Sequence, residues 1–316
     1  MDDADYRFEV PVASGARDTW RALRLRMEAG KEKHTPRGVK EHRHWDALKH
    51  ALAVFGVLLR LVGLYRRGVR NACDIRLNRL DLAFEALPPA FDGYRILQLS
   101  DPHVDHLPET WEAALALAAR EPADLCVLTG DYRRRVSGPY EQIRPAFETL
   151  AAMRPARDGI VAVLGNHDCA GMVDLFDEIG IETLINETRT VRRKDAELHL
   201  TGTDDVHYYY TDAAREALET APAGFKIALV HSAELADVAA AAGHHLYLCG
   251  HTHGGQISLP GGFPLITHMV RNRRLSRGLW RIGGLTGYTS TGSGVSGLPV
   301  RFNTRGEVTL ITLRRA

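Results

Sequence analysis

The sequence predicts an α/β fold with an N-terminal helical extension, and three observations predict it. Short apolar runs recur from residue 94 onward, and each ends in a cluster of polar or glycine residues. Helical stretches at residues 110–120 and 139–153 lie between some of these runs, and a basic segment precedes them all. Strands that alternate with helices indicate an α/β arrangement in which functional residues gather at the carboxyl ends of the strands. The runs are YRILQLS (94–100), DLCVLTG (124–130), GIVAVLG (159–165), LHLTGTD (198–204), KIALVHS (226–232) and HLYLCG (245–250).

Length and composition limit the number of domains. The chain has 316 residues, of which 45% are apolar and 25% charged, with a net charge of +1. These values are ordinary for a globular protein and exclude disordered and collagen-like classes. Because single domains rarely grow beyond about 300 residues, one large core with an appendage is expected. The stretch DIRLNRLDLAF, residues 74–84, is a leading strand, so we predict an extension over 1–73 and the main domain over 74–316.

The extension contains two helical patterns. Residues 16–33 predict a polar helix with Trp20, Leu23 and Met27 on one stripe. Residues 51–65, ALAVFGVLLRLVGLY, are apolar apart from Arg60 and have basic flanks, KEHRH with Lys49 before and RRGVR after. This run is shorter than the about 20 residues that a spanning helix needs. One interpretation is an interfacial helix with its arginines, Arg60, Arg66, Arg67 and Arg70, toward anionic lipid. The other is a core or dimer helix with snorkelling arginines.

The cysteines and the N-terminus bear on the cellular compartment. Cys73, Cys126, Cys169 and Cys249 lie far apart without a CxxC pair, which is typical of reduced thiols in a cytoplasmic protein. The first residues, MDDADYRFEVPV, lack the pattern of a signal peptide. We therefore expect a cytoplasmic protein, peripheral on the inner face of the cell membrane.

Polar residues of unusual type follow the predicted strands. They are Asp101 and His103 after the first run, Asp131 after the second, Asn166, His167 and Asp168 after the third, His231 after the fifth, and His251 and His253 after the sixth. Mixed nitrogen and oxygen ligands suit divalent Mn, Fe or Zn. A single histidine at a strand end is more often a satisfied core residue, Asp131 alone could cap a helix, and Asn166 alone could form a turn. Taken together, the set indicates a metal site.

Two histidines in GHTHGG need a special backbone. Gly250, Gly254 and Gly255 free the chain to bend, so that His251 and His253 can both aim at neighbouring ions. A carboxylate can bridge two such ions about 3.5–4 Å apart, which then act on the attacking and leaving oxygens of a displacement at phosphorus. The pattern thus favours a dinuclear centre.

The ordered blocks DPH, GD, GNHD, a histidine after a strand and GHTH resemble the calcineurin-like metallophosphoesterases. The closing stretch PVRFNTRGEVTLITL extends the similarity to the branch with membrane-associated phosphodiesterases and the UDP-2,3-diacylglucosamine pyrophosphatase of lipid A synthesis. The resemblance implies a four-layer αββα sandwich of two mixed sheets. It also implies two divalent ions, with Mn expected and Fe, Zn or Mg as alternatives.

The resemblance further implies a role for each residue. Asp101, His103 and His253 are expected to hold one ion, Asn166, His231 and His251 the other, and Asp131 to bridge both. His167 is expected to protonate the leaving oxygen, and Asp168 to orient its imidazole. A hydroxide between the ions would attack phosphorus in line.

The substrate is expected to be a phosphorylated, possibly acylated small molecule such as UDP-2,3-diacylglucosamine, and not a nucleic acid. Residues 263–285 mix apolar side chains with arginines, a composition that suits an amphiphile bearing phosphate, although an ordinary surface loop would also have it. Residues 133–135, RRR, are either a phosphate clamp or a solvated face. The alternatives are a soluble phosphatase or cyclic-nucleotide phosphodiesterase for which residues 1–72 are dispensable, and a metal-bound scaffold or nucleic-acid binder.

Overall fold

Two six-stranded sheets packed face to face form the centre of the molecule. The computed structural model describes residues 16–30, 32–41, 45–260, 264, 269 and 271–316. The helices are α1 (Ala16–Ala29), α2 (Trp45–Leu61), α3 (Tyr65–Cys73), α4 (Pro108–Ala118), α5 (Arg144–Met153), α6 (Gly171–Glu178), α7 (Asp212–Glu219) and α8 (Ala236–Ala241). The strands are β1 (Glu32–Thr35), β2 (Gly38–Glu41), β3 (Arg76–Phe84), β4 (Arg95–Leu99), β5 (Leu125–Leu128), β6 (Ile160–Ala162), β7 (Glu182–Thr183), β8 (Glu187–Arg193), β9 (Ala196–Gly202), β10 (Phe225–Leu229), β11 (Leu246–Cys249), β12 (Gly278–Ile282), β13 (Leu285–Thr289) and β14 (Glu307–Arg315).

The first sheet, called sheet A, has the order β3-β14-β4-β5-β6-β7. Strands β4 to β7 are parallel, with Gln98 of β4 opposite Val127 of β5 and Val127 opposite Val161 of β6. The last strand, β14, returns to the sheet, parallel to β3 and antiparallel to β4. The parallel part places the carboxyl ends of β4, β5 and β6 side by side at one edge.

The second sheet, called sheet B, has the order β12-β13-β11-β10-β9-β8. Strands β13, β11, β10 and β9 are parallel, and the outer strands β12 and β8 are antiparallel to their neighbours. The carboxyl ends of β10 and β11 are therefore adjacent. Both sheets are mixed, as the resemblance implied.

Three apolar clusters lie between the layers. The central cluster joins the inner faces of the sheets, with Ile96 and Val127 from sheet A and Ile227 and Leu248 from sheet B. A second cluster covers the outer face of sheet A with α4, α5 and α6, and a third covers sheet B with α7 and α8. The four-layer αββα sandwich is thus confirmed.

The predicted strands all exist, with ends that differ by a few residues. The run at 159–165 forms a strand only over Ile160–Ala162, and the following residues turn toward the site. The stretch at 139–153 begins as a 3₁₀ turn at Glu141–Ile143 before α5. The predicted polar helix is α1, in which Met27 is buried and Trp20 and Leu23 are partly buried.

The helix α1 packs on the main domain. Arg24 is fully buried, where it pairs with Asp204 and donates to the carbonyl of Asp168 at 2.9 Å. Glu28 accepts from the backbone N–H of Ala170 at 2.8 Å. The first part of the extension is therefore integral to the folded core.

The helices α2 and α3 pack through a narrow stripe. A Cβ at Gly56 would crowd Leu298, and one at Gly68 would lie 2.6 Å from Cβ of Val300. Across the break between the helices, Leu64 N–H donates to the Leu59 carbonyl at 2.8 Å.

Residues 42–44 and the side chains of 40–49, which include most of the predicted basic flank, lie outside the description. None of the helices in the described parts of the chain combines the length and the apolar character that a membrane span requires.

Candidate metal centre

The predicted ligands converge at the edge where the parallel strands of both sheets end. Sheet A supplies Asp101 and His103 after β4, Asp131 after β5 and Asn166 after β6, and sheet B supplies His231 after β10 and His251 and His253 after β11. Every one of them is buried. Parallel strands explain the convergence, because their carboxyl ends share one edge.

The first metal group is Asp101, His103 and His253, whose donor atoms lie within 4.8 Å of one another. The Nε2 atoms of His103 and His253 are 3.1 Å apart, and Nε2 of His253 is 3.8 Å from Oδ1 of Asp101. Two ring nitrogens that face each other this closely need a cation or a proton between them. The three residues thus form a triad of mixed nitrogen and oxygen donors.

The second metal group is Asp131, His231 and His251, also within 4.8 Å. Nδ1 of His251 is 3.2 Å from Nε2 of His231. Nε2 of His231 lies 3.4 Å from Oδ1 of Asp131. The other carboxylate oxygen, Oδ2, lies 3.7 Å from Nε2 of His103 in the first group. Asp131 therefore stands between the groups, in the position that a bridging ligand requires.

Backbone carbonyls orient two of the imidazoles. His103 donates from Nδ1 to the Arg133 carbonyl at 2.7 Å, and His231 donates from Nδ1 to the Thr129 carbonyl at 2.7 Å. Each hydrogen bond occupies Nδ1 and leaves Nε2, which faces the other donors, as the atom that can bind an ion. Such partners fix the tautomer of metal-binding histidines.

The ligand loops have unusual backbone conformations. Positive φ angles occur at Asp101 (48°), His103 (40°), Asp131 (61°), His251 (73°) and His253 (50°). This region costs energy for residues with a Cβ and is concentrated at functional sites. Neighbouring glycines make room, because a Cβ at Gly165 would collide with Asp131 and one at Gly250 with Asp101. The sequence motif thus encodes tight turns as well as ligands.

The electrostatics favour bound cations. Burial raises the pKa of the Asp101 carboxyl to about 7, so its ionised form needs nearby positive charge. Burial, reinforced by the charge of His167, lowers the pKa of His103 to about 3 and keeps that imidazole neutral. The neutral His103 imidazole is the form that binds a metal ion, whereas the Asp131 carboxylate, acting against burial, raises the pKa of His231, so this imidazole must lose a proton to bind an ion.

Asn166 adds a further donor. Its side chain is buried, and Oδ1 has no hydrogen-bond partner among the described residues. A buried amide oxygen without a partner is costly unless something binds it. The donor set therefore fits two divalent ions, and the assignment of Asn166 to the second ion stays a prediction.

His167 lies beside the two groups with its ring partly exposed. Nε2 is 4.0 Å from Oδ2 of Asp131, and Nδ1 donates to the Arg134 carbonyl at 2.6 Å. The prediction that Asp168 orients this ring is wrong. Its carboxylate instead accepts from the backbone N–H groups of Asp131 (2.7 Å), Tyr132 (2.8 Å) and Gly165 (2.7 Å), so Asp168 holds the two ligand loops together.

The residues of the RRR run have separate environments. Arg133 is buried and donates to carbonyls, with His167 at 2.7 Å and Val136 at 2.8 Å. It is neither a phosphate clamp nor a solvated residue. Arg134 and Arg135 are exposed.

The predicted amphiphile-binding loop at 263–285 is described only in part, because residues 263, 265–268 and 270 lie outside the description. Arg271 pairs with Asp237, and Leu275 and Trp280 are buried in the cluster that covers sheet B. These side chains have structural partners.

Sequence reasoning missed two groups near the centre. The ring of His207 lies 4.3 Å from that of His251, and its Nδ1 is 3.3 Å from Oε2 of Glu234. Arg301 is fully buried and donates to the His253 carbonyl at 3.1 Å. No motif signals either contact, because both depend on chain segments distant from the ligand blocks.

Comparison with known proteins agrees with this geometry. The family model described as calcineurin-like phosphoesterase matches residues 94–255. The chain is 29% identical over 239 residues to the uncharacterized metallophosphoesterase YkuE of Bacillus subtilis, which covers 72% of the chain and 82% of that protein. It is 28% identical over 231 residues to phosphodiesterase YaeI of Escherichia coli, with 70% and 82% covered. It is 29% identical to the transmembrane protein with metallophosphoesterase domain of Danio rerio, with 75% and 57% covered. The chain belongs to the calcineurin-like phosphoesterase family.

Proposed function

We propose that this metal-dependent phosphoester hydrolase is a dinuclear phosphodiesterase or pyrophosphatase, with Mn²⁺ as its ion. The position of Asp131 carries the proposal, because its two carboxylate oxygens face histidines of both metal groups, at 3.4 and 3.7 Å. A carboxylate so placed can bind one ion through each oxygen. When bound, the ions supply Lewis acidity and positive charge for the phosphoryl group.

The protein residues have distinct tasks in this proposal. Asp101, His103 and His253 hold one ion, and His231 and His251 with Asn166 hold the other. His167 is the proton donor to the leaving oxygen. Its Nδ1 hydrogen bond to the Arg134 carbonyl aims Nε2 at the site, 4.0 Å from Asp131. A positioned imidazole of this kind contributes roughly 10²–10⁴-fold to the rate.

The substrate is proposed to be lipid-linked, such as UDP-2,3-diacylglucosamine. A surface on α2 and the turn after it, called the apolar ridge, supports this. Its side chains are exposed, including Leu58 at 52% and Leu61 at 77%, while the described side chains of the same helix, from His50 on, face the protein through a stripe around Leu52, Gly56 and Leu59. The ridge consists of Val54, Phe55, Val57, Leu58, Leu61, Val62 and Leu64.

An exposed apolar patch of this kind marks an interaction site. We propose an anionic bilayer as its partner, since basic residues flank the ridge. Arg66, Arg67 and Arg70 are exposed on α3. A cavity of about 370 Å³ lies next to them, lined by Arg67, Asn71, Arg76, Phe302, Asn303, Thr304 and Arg305. Apolar insertion combined with basic charge is the binding mode of interfacial helices.

The reaction can be tested with a chromogenic phosphodiester, assayed with and without Mn²⁺. We expect turnover that requires the ion and that exceeds turnover of the matching phosphomonoester. A higher rate on the monoester would favour a soluble phosphatase, and cleavage of cyclic nucleotides alone would favour a cyclic-nucleotide phosphodiesterase. UDP-2,3-diacylglucosamine in detergent then tests the lipid-linked class, which fails if only water-soluble diesters are cleaved.

Membrane binding can be tested by flotation with vesicles of phosphatidylcholine and phosphatidylglycerol. Leu58→Glu should reduce flotation several-fold, because it places a charge in the ridge. Leu25→Glu on α1 is a matched control, since Leu25 is 51% exposed and Leu58 is 52% exposed. Equal flotation of both variants would contradict the proposal. Concentration-dependent self-association that Leu58→Glu abolishes would instead show that a second copy covers the ridge.

A further inference from the structure

Arg301 is a buried cation without a carboxylate partner among the described residues. Its guanidinium donates to backbone carbonyls of His253 (3.1 Å), Thr291 (2.7 Å), Gly292 (3.1 Å), Gly294 (2.7 Å) and Arg305 (3.2 Å). Burial lowers its pKa to about 10, so it remains charged at neutral pH. Burying a charge that is hydrogen-bonded to carbonyls and to no carboxylate is expensive, and such an arrangement needs a reason.

Four of the five carbonyl partners, all except Arg305, belong to segments that hold the first metal group. His253 is itself a ligand of that group. The segment 291–294 is hydrogen-bonded to the loop of another ligand, since Ser293 N–H donates to the Ser100 carbonyl at 2.8 Å and Gly294 N–H to the Asp101 carbonyl at 3.0 Å. Arg301 therefore joins the backbone of one ligand to the segment that holds another. Those two ligands, His253 and Asp101, come from different sheets.

The backbone of Arg301 is held from the opposite side by α3. Arg301 N–H donates to the Gly68 carbonyl at 3.0 Å, and Asn71 Nδ2 donates to the Arg301 carbonyl at 3.0 Å. Gly68 permits this approach, since a Cβ there would collide with Val300 and Phe302. One residue thus connects the N-terminal extension to a metal ligand.

We infer that Arg301 is a positioning residue for the first metal group, and that α3 sets the geometry of this group through it. The inference rests on the proposed dinuclear function. A planar guanidinium can donate to several carbonyls at fixed angles, whereas the ammonium of lysine is a point charge. Replacement of Arg301 should therefore displace the His253 loop even where positive charge is kept. Asn71 should act on the same loop, more weakly.

The test is a Co²⁺ titration followed by visible absorption, which reports the coordination of each ion without any turnover. We expect Arg301→Lys to weaken one of two binding steps about 10–100-fold, as outer-shell substitutions do, and to leave the other step unchanged. Asn71→Ala should weaken the same step less. Arg314→Lys, an exposed arginine on β14 that pairs with Asp81, is the matched control and should change neither step.

The outcomes separate this inference from the proposed function. If the wild-type protein binds no pair of ions, the dinuclear proposal fails. If it binds two and Arg301→Lys binds them equally well, only the role of Arg301 is refuted. Equal weakening of both steps together with a lower melting temperature would show a general loss of stability and would also overturn the inference. Should Arg301→Lys fail to fold, the Asn71→Ala variant becomes the test of the inference. Unchanged Co²⁺ spectra and affinities in Asn71→Ala would refute the link between α3 and the first metal group.

Discussion

Asp131 and His231 face each other across the two sheets, with Oδ1 of the carboxylate 3.4 Å from Nε2 of the imidazole. Replacing Asp131 by asparagine keeps the shape of the side chain and removes its charge. We expect metal affinity to fall by at least about 100-fold, the upper end of what outer-shell changes cause. Metal content after dialysis and kcat measure the effect. Asp212→Asn on the exposed start of α7 is the control, and a full metal content in Asp131→Asn would contradict the bridging role.

His167→Ala should lower kcat by about 10²–10⁴-fold on a diester with an alkoxide leaving group. The loss should be smaller for 4-nitrophenolate, which departs without a proton. Metal content should stay unchanged, since His167 is not one of the assigned ligands. An equal loss for both leaving groups would rule out a role as proton donor.

Asp168→Asn should destabilise the fold by about 1–3 kcal/mol, because the amide nitrogen cannot accept a hydrogen bond and leaves at least one buried backbone N–H without a partner. Oδ2 accepts from two N–H groups, Asp131 and Gly165, and an amide cannot satisfy both carboxylate positions at once. Urea unfolding measures the free energy. If Asp168 instead oriented His167, the variant would show the leaving-group dependence of His167→Ala with little loss of stability.

Arg24→Met should cost about 3–5 kcal/mol, because it leaves Asp204 buried without its ion partner. The double variant with Asp204→Asn should recover part of this loss. Arg26→Met, exposed on the same helix, is the matched control. The result also tests whether the N-terminal extension stabilises the main domain. An unchanged unfolding free energy would support the alternative in which residues 1–72 are dispensable.

The stability of the protein should depend on pH through His244. Burial lowers the pKa of this imidazole from 6.5 to about 4, so the unfolded chain takes up the proton first as the pH falls. The part of the unfolding free energy that depends on neutral His244 is complete above pH 6.5 and is lost between pH 6.5 and about 4. The loss is no more than about 1.4 kcal/mol per pH unit. His244→Gln keeps a donor for the Leu218 carbonyl and should unfold with a weaker pH dependence. Urea unfolding across this range tests it, and parallel curves for the two proteins would contradict the assignment.

Apolar periodicity was sufficient to predict the strands and the edge where the ligands meet. The apolar run 227–230, for example, is covered on both faces in β10 and just beyond it, and His231 follows where that run ends. Chain order also separates Asp101 from His253 by about half the sequence, yet the parallel strands bring them together. The order and direction of the strands, and not the distance along the chain, therefore determine which ligands meet.

Contacts of single side chains could not be predicted in this way. The resemblance implied that Asp168 orients the ring of His167, but the turn points the Asp168 carboxylate toward the backbone N–H groups of Asp131 and Gly165. Arg24 is one of several charged residues in the predicted polar helix, and its burial depends on where Asp204 lies in another segment. Such pairings depend on tertiary packing, which leaves no repeating pattern in the sequence from which they could be predicted.

Each metal group draws its donors from both halves of the sandwich. Asp101 and His103 meet His253 in one group, and Asp131 meets His231 and His251 in the other. Any ion seated there would cross-link sheet A to sheet B, in the way that a disulfide joins two segments. Removing the ions with a chelator should therefore loosen the packing between the sheets as well as stop turnover, and metal supply would then control how long the folded protein persists.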